Sequence, residues 1–312
     1  MTAIELEDLR VSYRGRRGSV VAVDKLSLSV PTGGVFGFLG ANGAGKTTAI
    51  RAIVGLLRSS TGRIRVLDAD VPRHLPSVMD RIGALVEQPS FFPNFSGRRN
   101  LRLLARARGI SAQKVDAAIE QVGLSPRAHS RFATYSLGMK QRLGIAAALL
   151  KDPELIVLDE PANGLDPPGI LEVRTLLRGL GAQGRTVFVS SHLLSEVEHT
   201  CDRVAIIAHG RCIASGRVDD LLAGGHARHR VRLPDPVHQN EIARDALARA
   251  GWAAGFDDEG ALVVDVGVDR SHEVTRTLAE ANVFVSELTP ITRSLEEVFL
   301  ELTRADDAGG SR

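Results

Sequence analysis

The stretch VFGFLGANGAGKTT, residues 35–48, decides the fold. VFGFL (35–39) is a short continuous apolar run of the kind a buried strand shows. GANGAGKT (40–47) then fits the phosphate-loop pattern G-x-x-x-x-G-K-[ST], and Thr47 to Leu57 reads as helix. Strand, glycine loop and helix in that order are the context the pattern requires. Gly40, Gly43 and Gly45 let the backbone wrap so that N–H groups converge on an anion. The helix N-terminus adds about half a positive charge. Lys46 is placed to reach the β- and γ-phosphates and the Thr47 hydroxyl to ligate Mg²⁺, with Asn42 and Thr48 among the nucleotide-contacting positions. The chain uses five lysines against 34 arginines, yet lysine stands here. A compact ammonium fits between two phosphates where a planar fork does not.

The bulk numbers fit one large α/β domain and a smaller one, in 312 residues of formal net charge +2. That balance calls for neither nucleic acid nor an anionic membrane surface. Cys201 and Cys212 lack the spacing of zinc ligands and are expected to be small buried hydrophobes in a reducing compartment. No apolar run approaches the ~18 residues a membrane span needs. LGIAAALL (143–150) stops at Lys151-Asp152, and the acidic, alternating MTAIELEDLR is unlike a signal peptide. The expectation is a soluble chain that meets a membrane only through a partner.

Outward from the loop, AIELEDLRVSY and VVAVDKLSLSV alternate as half-exposed strands. IRVL (64–67), IGALV (82–86), LIVLDEP (155–161), TVFVSSH (186–192) and RVAIIAHG (203–210) read as further strands, the last opening a hairpin at His209-Gly210. NLRLLARARGI, KVDAAIEQVGL and LGMKQRLGIAAALL repeat apolar residues at helical spacing, a helical block over about 96–151. Helices such as ILEVRTLLRGL separate the later strands, which predicts a mostly parallel sheet covered on both faces. The core is expected to end near residue 225 in a joint, GGHARHRVRLPDP, with His226, His229 and His238 in or beside it as spacers. Residues 226–305 read as a small α/β module without chemistry-bearing clusters, and 306–312 as a disordered tail.

Two acids end the LIVLDEP strand, and neighbouring carboxylates need a cation to relieve them. Mg²⁺ held by Asp159 is the natural relief, leaving Glu160 to act on the attacking water as general base. His192 follows another strand, so it belongs at the carboxyl edge of the same sheet, where it can bond the γ-phosphate and orient the water. Gln88, after IGALVE, carries an amide able to touch both metal and water. Ser136 stands where an N-cap would open the LGMKQRL helix.

In this order the residues resemble the ATP-binding-cassette ATPases: GANGAGKTT, the glutamine of VEQPSFFP, YSLGMKQRL, LIVLDEP, NGLD and the histidine of SSHLLSE, over about residues 3–220. The resemblance implies an α/β P-loop core with an antiparallel β subdomain and a helical subdomain, using ATP and Mg²⁺. It implies two cassettes paired head to tail, with Ser136 and Gly138 of one meeting the γ-phosphate held by the other. It further implies that Tyr13 stacks on adenine. Asp166 belongs either to a loop that crosses to the partner or to a helix cap. The surface around Phe91, Phe92 and Phe95 either receives a coupling helix of an integral membrane permease or packs inside the helical block. The common signature Leu-Ser-Gly-Gly-Gln is replaced by Tyr135-Ser136-Leu137-Gly138-Met139. With TRSLEEVFLELT near the end, the chain looks like the ATPase of a drug, antibiotic or lipid exporter, cytoplasmic and peripheral on the inner face of the membrane, most simply as a homodimer. The competing readings are a soluble cassette ATPase, as in cofactor assembly, and a P-loop kinase, which offers no use for YSLGMKQRL.

Overall fold

The computed structural model describes residues 1–15, 18–87, 90–223, 228–257, 260–267, 270–291 and 293–309. They form two compact units, Met1–Val218 with Phe299–Arg312, and Asp219–Val298. The first unit therefore closes at Val218 rather than near 225 and takes back the end of the chain.

Two sheets build the first unit. One is antiparallel, in the order β2 (Gly18–Pro31), β1 (Thr2–Gly15), β4 (Thr61–Val66), β5 (Ala69–Val71). The other runs β10 (Arg211–Arg217), β9 (Arg203–Ala208), β3 (Gly34–Leu39), β8 (Thr186–Ser191), β7 (Leu155–Leu158), β6 (Ile82–Leu85). Its pairs are parallel except β9 with β10, a hairpin whose turn residues His209 and Gly210 have φ of 48° and 75°. Strands β3, β7 and β8 are buried along nearly their whole length because both faces of the sheet are covered. Phe188 lies against Phe36 and Phe38, with ring centroids 5.9 and 5.3 Å away.

Helix α1 (Lys46–Ile53) shares one core with both sheets: Ala49, Ile50 and Ile53 cluster with Leu6 and Leu26 on one side and Phe38 and Ile207 on the other. It stops four residues short of the expected Leu57. Gly55, at φ 75°, donates to the Ala52 carbonyl while Leu56 N–H donates to that of Arg51, a pair of bonds that closes a helix at glycine. The helical block holds α2 (Gly97–Ala107), α3 (Ala112–Gln121) and α4 (Leu137–Leu149), and α5 (Pro167–Ala182) and α6 (Leu194–Thr200) flank β8 in sequence. Helix α7 (Val218–Ala223) begins at the boundary. Cys201 is buried, while Cys212 is only half-buried, its thiol bonding the Ala214 carbonyl.

The second unit is an antiparallel sheet in the order β12 (Ala254–Phe256), β13 (Leu262–Asp265), β11 (Arg228–Arg232), β14 (Glu287–Ile291), with α8 (Pro236–Arg249) and α9 (Ser271–Glu280). Its core joins Val231, Leu262 and Val264 to Leu247, Val274 and Leu278. Part of the expected joint is thus an inner strand: in β11, His229 and Val231 are buried while Arg228 and Arg232 face out. Of the tail expected to be disordered, 306–312, residues 306–309 lie in helix α10 (Leu295–Gly309), since propagation from a formed turn adds one bond per residue fixed, and 310–312 lie outside the described residues. Of the other calls on histidine, His226 lies outside the described residues, and His238 Nδ1 bonds Asp235.

Candidate functional site

Register brings the site together. Strands β3 and β8 are parallel with Leu39 beside Ser191, and β8 and β7 are parallel with Val189 beside Leu158. One residue further on, the phosphate loop, Ser190 to His192, and Asp159-Glu160 emerge side by side at the carboxyl edge of three adjacent strands. Ligands of open α/β sheets bind at such an edge.

Glycine is needed in the loop. Gly45 sits at φ 103°, and a Cβ there would come within 2.4 Å of the Ala22 carbonyl oxygen. A Cβ on Gly40 would lie 2.5 Å from the Ile207 carbonyl oxygen. No side chain caps α1, so its first-turn N–H groups are offered to an anion. Lys46 is only 5% exposed. Its ammonium donates to the carbonyls of Gly40 and Ala41 at 2.7 and 3.2 Å and pairs with Glu160 Oε1 at 3.2 Å. This bared helix end, with a buried lysine behind it, fits a polyphosphate. Thr47 and Asp159 supply hydroxyl and carboxylate oxygens, the hard donors that suit Mg²⁺.

Glu160 turns sharply off β7 at φ 49°. Its Oε2 meets His192 Nδ1 at 2.7 Å. Behind it, Ser190 Oγ accepts the Glu160 N–H at 2.9 Å and contacts Asp159 Oδ1 at 2.6 Å. Ser190 carries no signal in the sequence: at the polar end of TVFVSSH its hydroxyl has no evident partner until β7 and β8 are known to be neighbours.

Other expected residues lie as follows. Tyr13, 39% exposed, bonds Thr48 Oγ1 through its hydroxyl at 3.2 Å, which sets it beside the start of α1. Ser136 caps α4, its Oγ accepting the Met139 N–H at 3.2 Å. Tyr135, just before it, is buried and donates to the Arg127 carbonyl, and burial raises its phenol pKa. Leu137 fills the place of a signature glycine and reaches Gly164 of the NGLD loop: a Cβ there would be 3.3 Å from Leu137 Cδ2. Asp166 caps α5, accepting the Gly169 N–H at 3.3 Å. Asn42 and Gly43 are exposed on the loop. Gln88 lies outside the described residues. Phe91 packs edge-on to Phe132 at 5.2 Å, whereas Phe92 is 61% exposed and touches Phe95. Beside Phe91 a groove of about 260 Å³ runs between Ile82, Leu85, Leu104 and Leu150. Among the described residues no helix is long and apolar enough to cross a membrane.

A glycine loop before a buried lysine, an acid pair two strands across the sheet and a histidine on the strand between them define a phosphate-loop nucleoside-triphosphatase cassette. The chain belongs to the ATP-binding proteins of ABC transporters. The family model described as ABC transporter matches residues 23–163. The chain is 38% identical to the uncharacterized ABC transporter ATP-binding protein YhcH of Bacillus subtilis (strain 168), covering 97% of this chain and 96% of that one. It is 35% identical to the bacitracin transport ATP-binding protein BcrA of Enterococcus faecalis, covering 96% of each. A solved structure of an ATP-binding subunit of an ABC transporter superposes with TM-score 0.61 at 29% identity, over 71% of this chain and 92% of that one. The activity is ATP hydrolysis coupled to transmembrane transport, in a nucleotide-binding subunit of the exporter type.

Proposed function

We propose that ATP is hydrolysed between two copies of this cassette and that Glu160 is the general base. The observation that carries the reading is the Glu160 carboxylate held between Lys46 and His192 at the sheet edge. As the triphosphate enters the loop, its oxygens compete for the Lys46 ammonium. Exchange of that partner frees Glu160 Oε1 to take the proton of the water that attacks the γ-phosphate, giving ADP and phosphate. Thr47, Asp159 and Gln88 would hold Mg²⁺, which when bound neutralises charge on the β- and γ-oxygens. His192 orients Glu160 and the water, Tyr13 stacks on adenine, and Asn42, Thr48 and the loop glycines line the nucleotide.

Ser136 and Gly138 meet the γ-phosphate of the partner copy, and Asp166 stands on the loop facing it. Ser136 capping its own helix supports this role, since a capped helix presents a fixed, positive N-terminus. Closure of the dimer drives separate integral membrane permease subunits from the cytoplasmic face, as in an exporter. The exposed Phe92 and the apolar groove beside Phe91 support a coupling surface there. The family relatives named for transport favour this reading over a soluble assembly ATPase.

The test is Glu160→Gln. With Mg²⁺ and ATP the variant is expected to elute as a nucleotide-loaded dimer in size-exclusion chromatography, while phosphate release falls by about 10²–10⁴. Undiminished release removes Glu160 from its role, and a strictly monomeric, fully active wild type removes the dimer.

A further inference from the structure

We infer that Ser190 is a positioning residue for both acids of the site. The inference rests on the roles proposed above for Asp159 and Glu160, and it names a group that those roles do not include. Ser190 is the fifth residue of β8 and is completely buried. Its hydroxyl has one hydrogen to give and lone pairs to receive. The Glu160 N–H can only donate and the Asp159 carboxylate can only accept, so the rotor has one consistent setting. Oγ receives the Glu160 N–H at 2.9 Å and gives its own hydrogen to Asp159 Oδ1 at 2.6 Å.

Both bonds act where geometry is hardest to keep. Glu160 holds φ at 49°, a strained region that a non-glycine residue keeps only where the surroundings over-determine it. The bond from Ser190 pins that peptide, and the pinned peptide aims the side chain at Lys46 and His192. The second bond fixes which Asp159 oxygen faces inward to the protein and which is left for a cation. One hydroxyl on the neighbouring strand thus sets the base and the metal-facing carboxylate together. Parallel pairing of β7 and β8 makes this possible, because Asp159 and Ser190 follow a paired couple, Leu158 and Val189.

A packing role makes a different prediction. A small cavity of about 30 Å³, lined by Ser190, Pro161 and Val197 among others, adjoins the residue and gives room for a methyl group. Ser190→Thr keeps the hydroxyl and adds that methyl, while Ser190→Val has the shape of threonine without the hydroxyl. The experiment measures steady-state phosphate release, KM for ATP, half-saturation by Mg²⁺ and thermal unfolding for Ser190→Ala, Ser190→Val and Ser190→Thr in the full chain, beside Glu160→Gln. We expect kcat to fall at least tenfold in the alanine and valine variants, with KM for ATP within threefold and the Mg²⁺ requirement raised. The threonine variant should keep at least half of the wild-type kcat. Equal behaviour of Ser190→Thr and Ser190→Val, including equal loss of folding, overturns the inference, as does Ser190→Ala with kcat within twofold of wild type. If those results come with a dead Glu160→Gln, only the role of Ser190 falls; if Glu160→Gln is also active, the reading of the site falls with it.

Discussion

His192 Nδ1 lies 2.7 Å from Glu160 Oε2, so the histidine of one strand end orients the acid of the next. Lys46 takes the other oxygen, which leaves neither carboxylate oxygen without a partner. Residues that act as one unit lose activity together. His192→Ala is therefore expected to lower kcat by about 10²-fold or more. Added to Glu160→Gln it should lower phosphate release little further. Full multiplicative loss in the double variant would mean that the two act independently.

Lys46 sits in a slot that exposes only 5% of it, bonded to two carbonyl oxygens. A guanidinium is planar and larger, so Lys46→Arg should be as inactive as Lys46→Ala. Nucleotide titration by fluorescence and phosphate release check this. An arginine variant with near-native turnover would contradict the geometry.

Ser136 caps α4 and, in the function proposed above, also meets the γ-phosphate held by the partner copy. As N-cap its loss in Ser136→Ala should cost about 1 kcal/mol of stability. Aspartate caps as well as serine but carries negative charge toward the γ-phosphate. Ser136→Asp is thus expected to unfold at the native temperature while its turnover collapses. If turnover survives in Ser136→Asp, the turn does not meet phosphate.

Tyr13→Phe removes only the hydroxyl bond to Thr48 and should leave KM for ATP nearly unchanged. Tyr13→Ala removes the ring. KM should rise about 5- to 150-fold, the equivalent of about 1–3 kcal/mol of stacking. Equal KM values for all three proteins would show that adenine does not rest on this ring.

Burial pushes the Cys201 thiol well above the ordinary thiol range, and the nearby Asp202 adds to the shift. The folded state therefore holds the proton where the unfolded chain releases it. That contribution to stability is fully present below the unfolded pKa of about 8.5 and declines as pH rises toward the folded value, by up to about 1.4 kcal/mol per pH unit. Denaturant midpoints measured from pH 7 to 10 should fall, and fall less in Cys201→Ala. The same burial predicts that Cys201 resists alkylation in the folded chain at pH 8 and reacts once it is unfolded.

Much of the site could be read directly, because its parts are local. A phosphate loop is a run of adjacent residues whose glycines, lysine and threonine act through neighbouring backbone, so GANGAGKT carries its own geometry. Helix caps at Ser136 and Asp166 are local too, each bonding an N–H three residues on. Reading failed where a pattern was masked by polar residues or cut short by one glycine. RHRVR looked like a joint because arginines stand on its open face, while Val231 and a histidine that is 2% exposed face the core. Gly55 ended α1 through backbone conformation, which apolar spacing does not report.

By itself the sequence determined the loop, the acid pair, the histidine behind a strand and the order in which they occur, since each rests on contacts within a few residues. Tertiary structure alone decided which strands are neighbours and in what register. Hydrogen bonds between parallel strands set the emergence of Gly40, Asp159 and His192 along one edge, and that register gave Ser190 its two partners. A hydroxyl has no direction in a one-dimensional chain; it acquires one only when the adjacent strand supplies a donor and an acceptor at bonding distance.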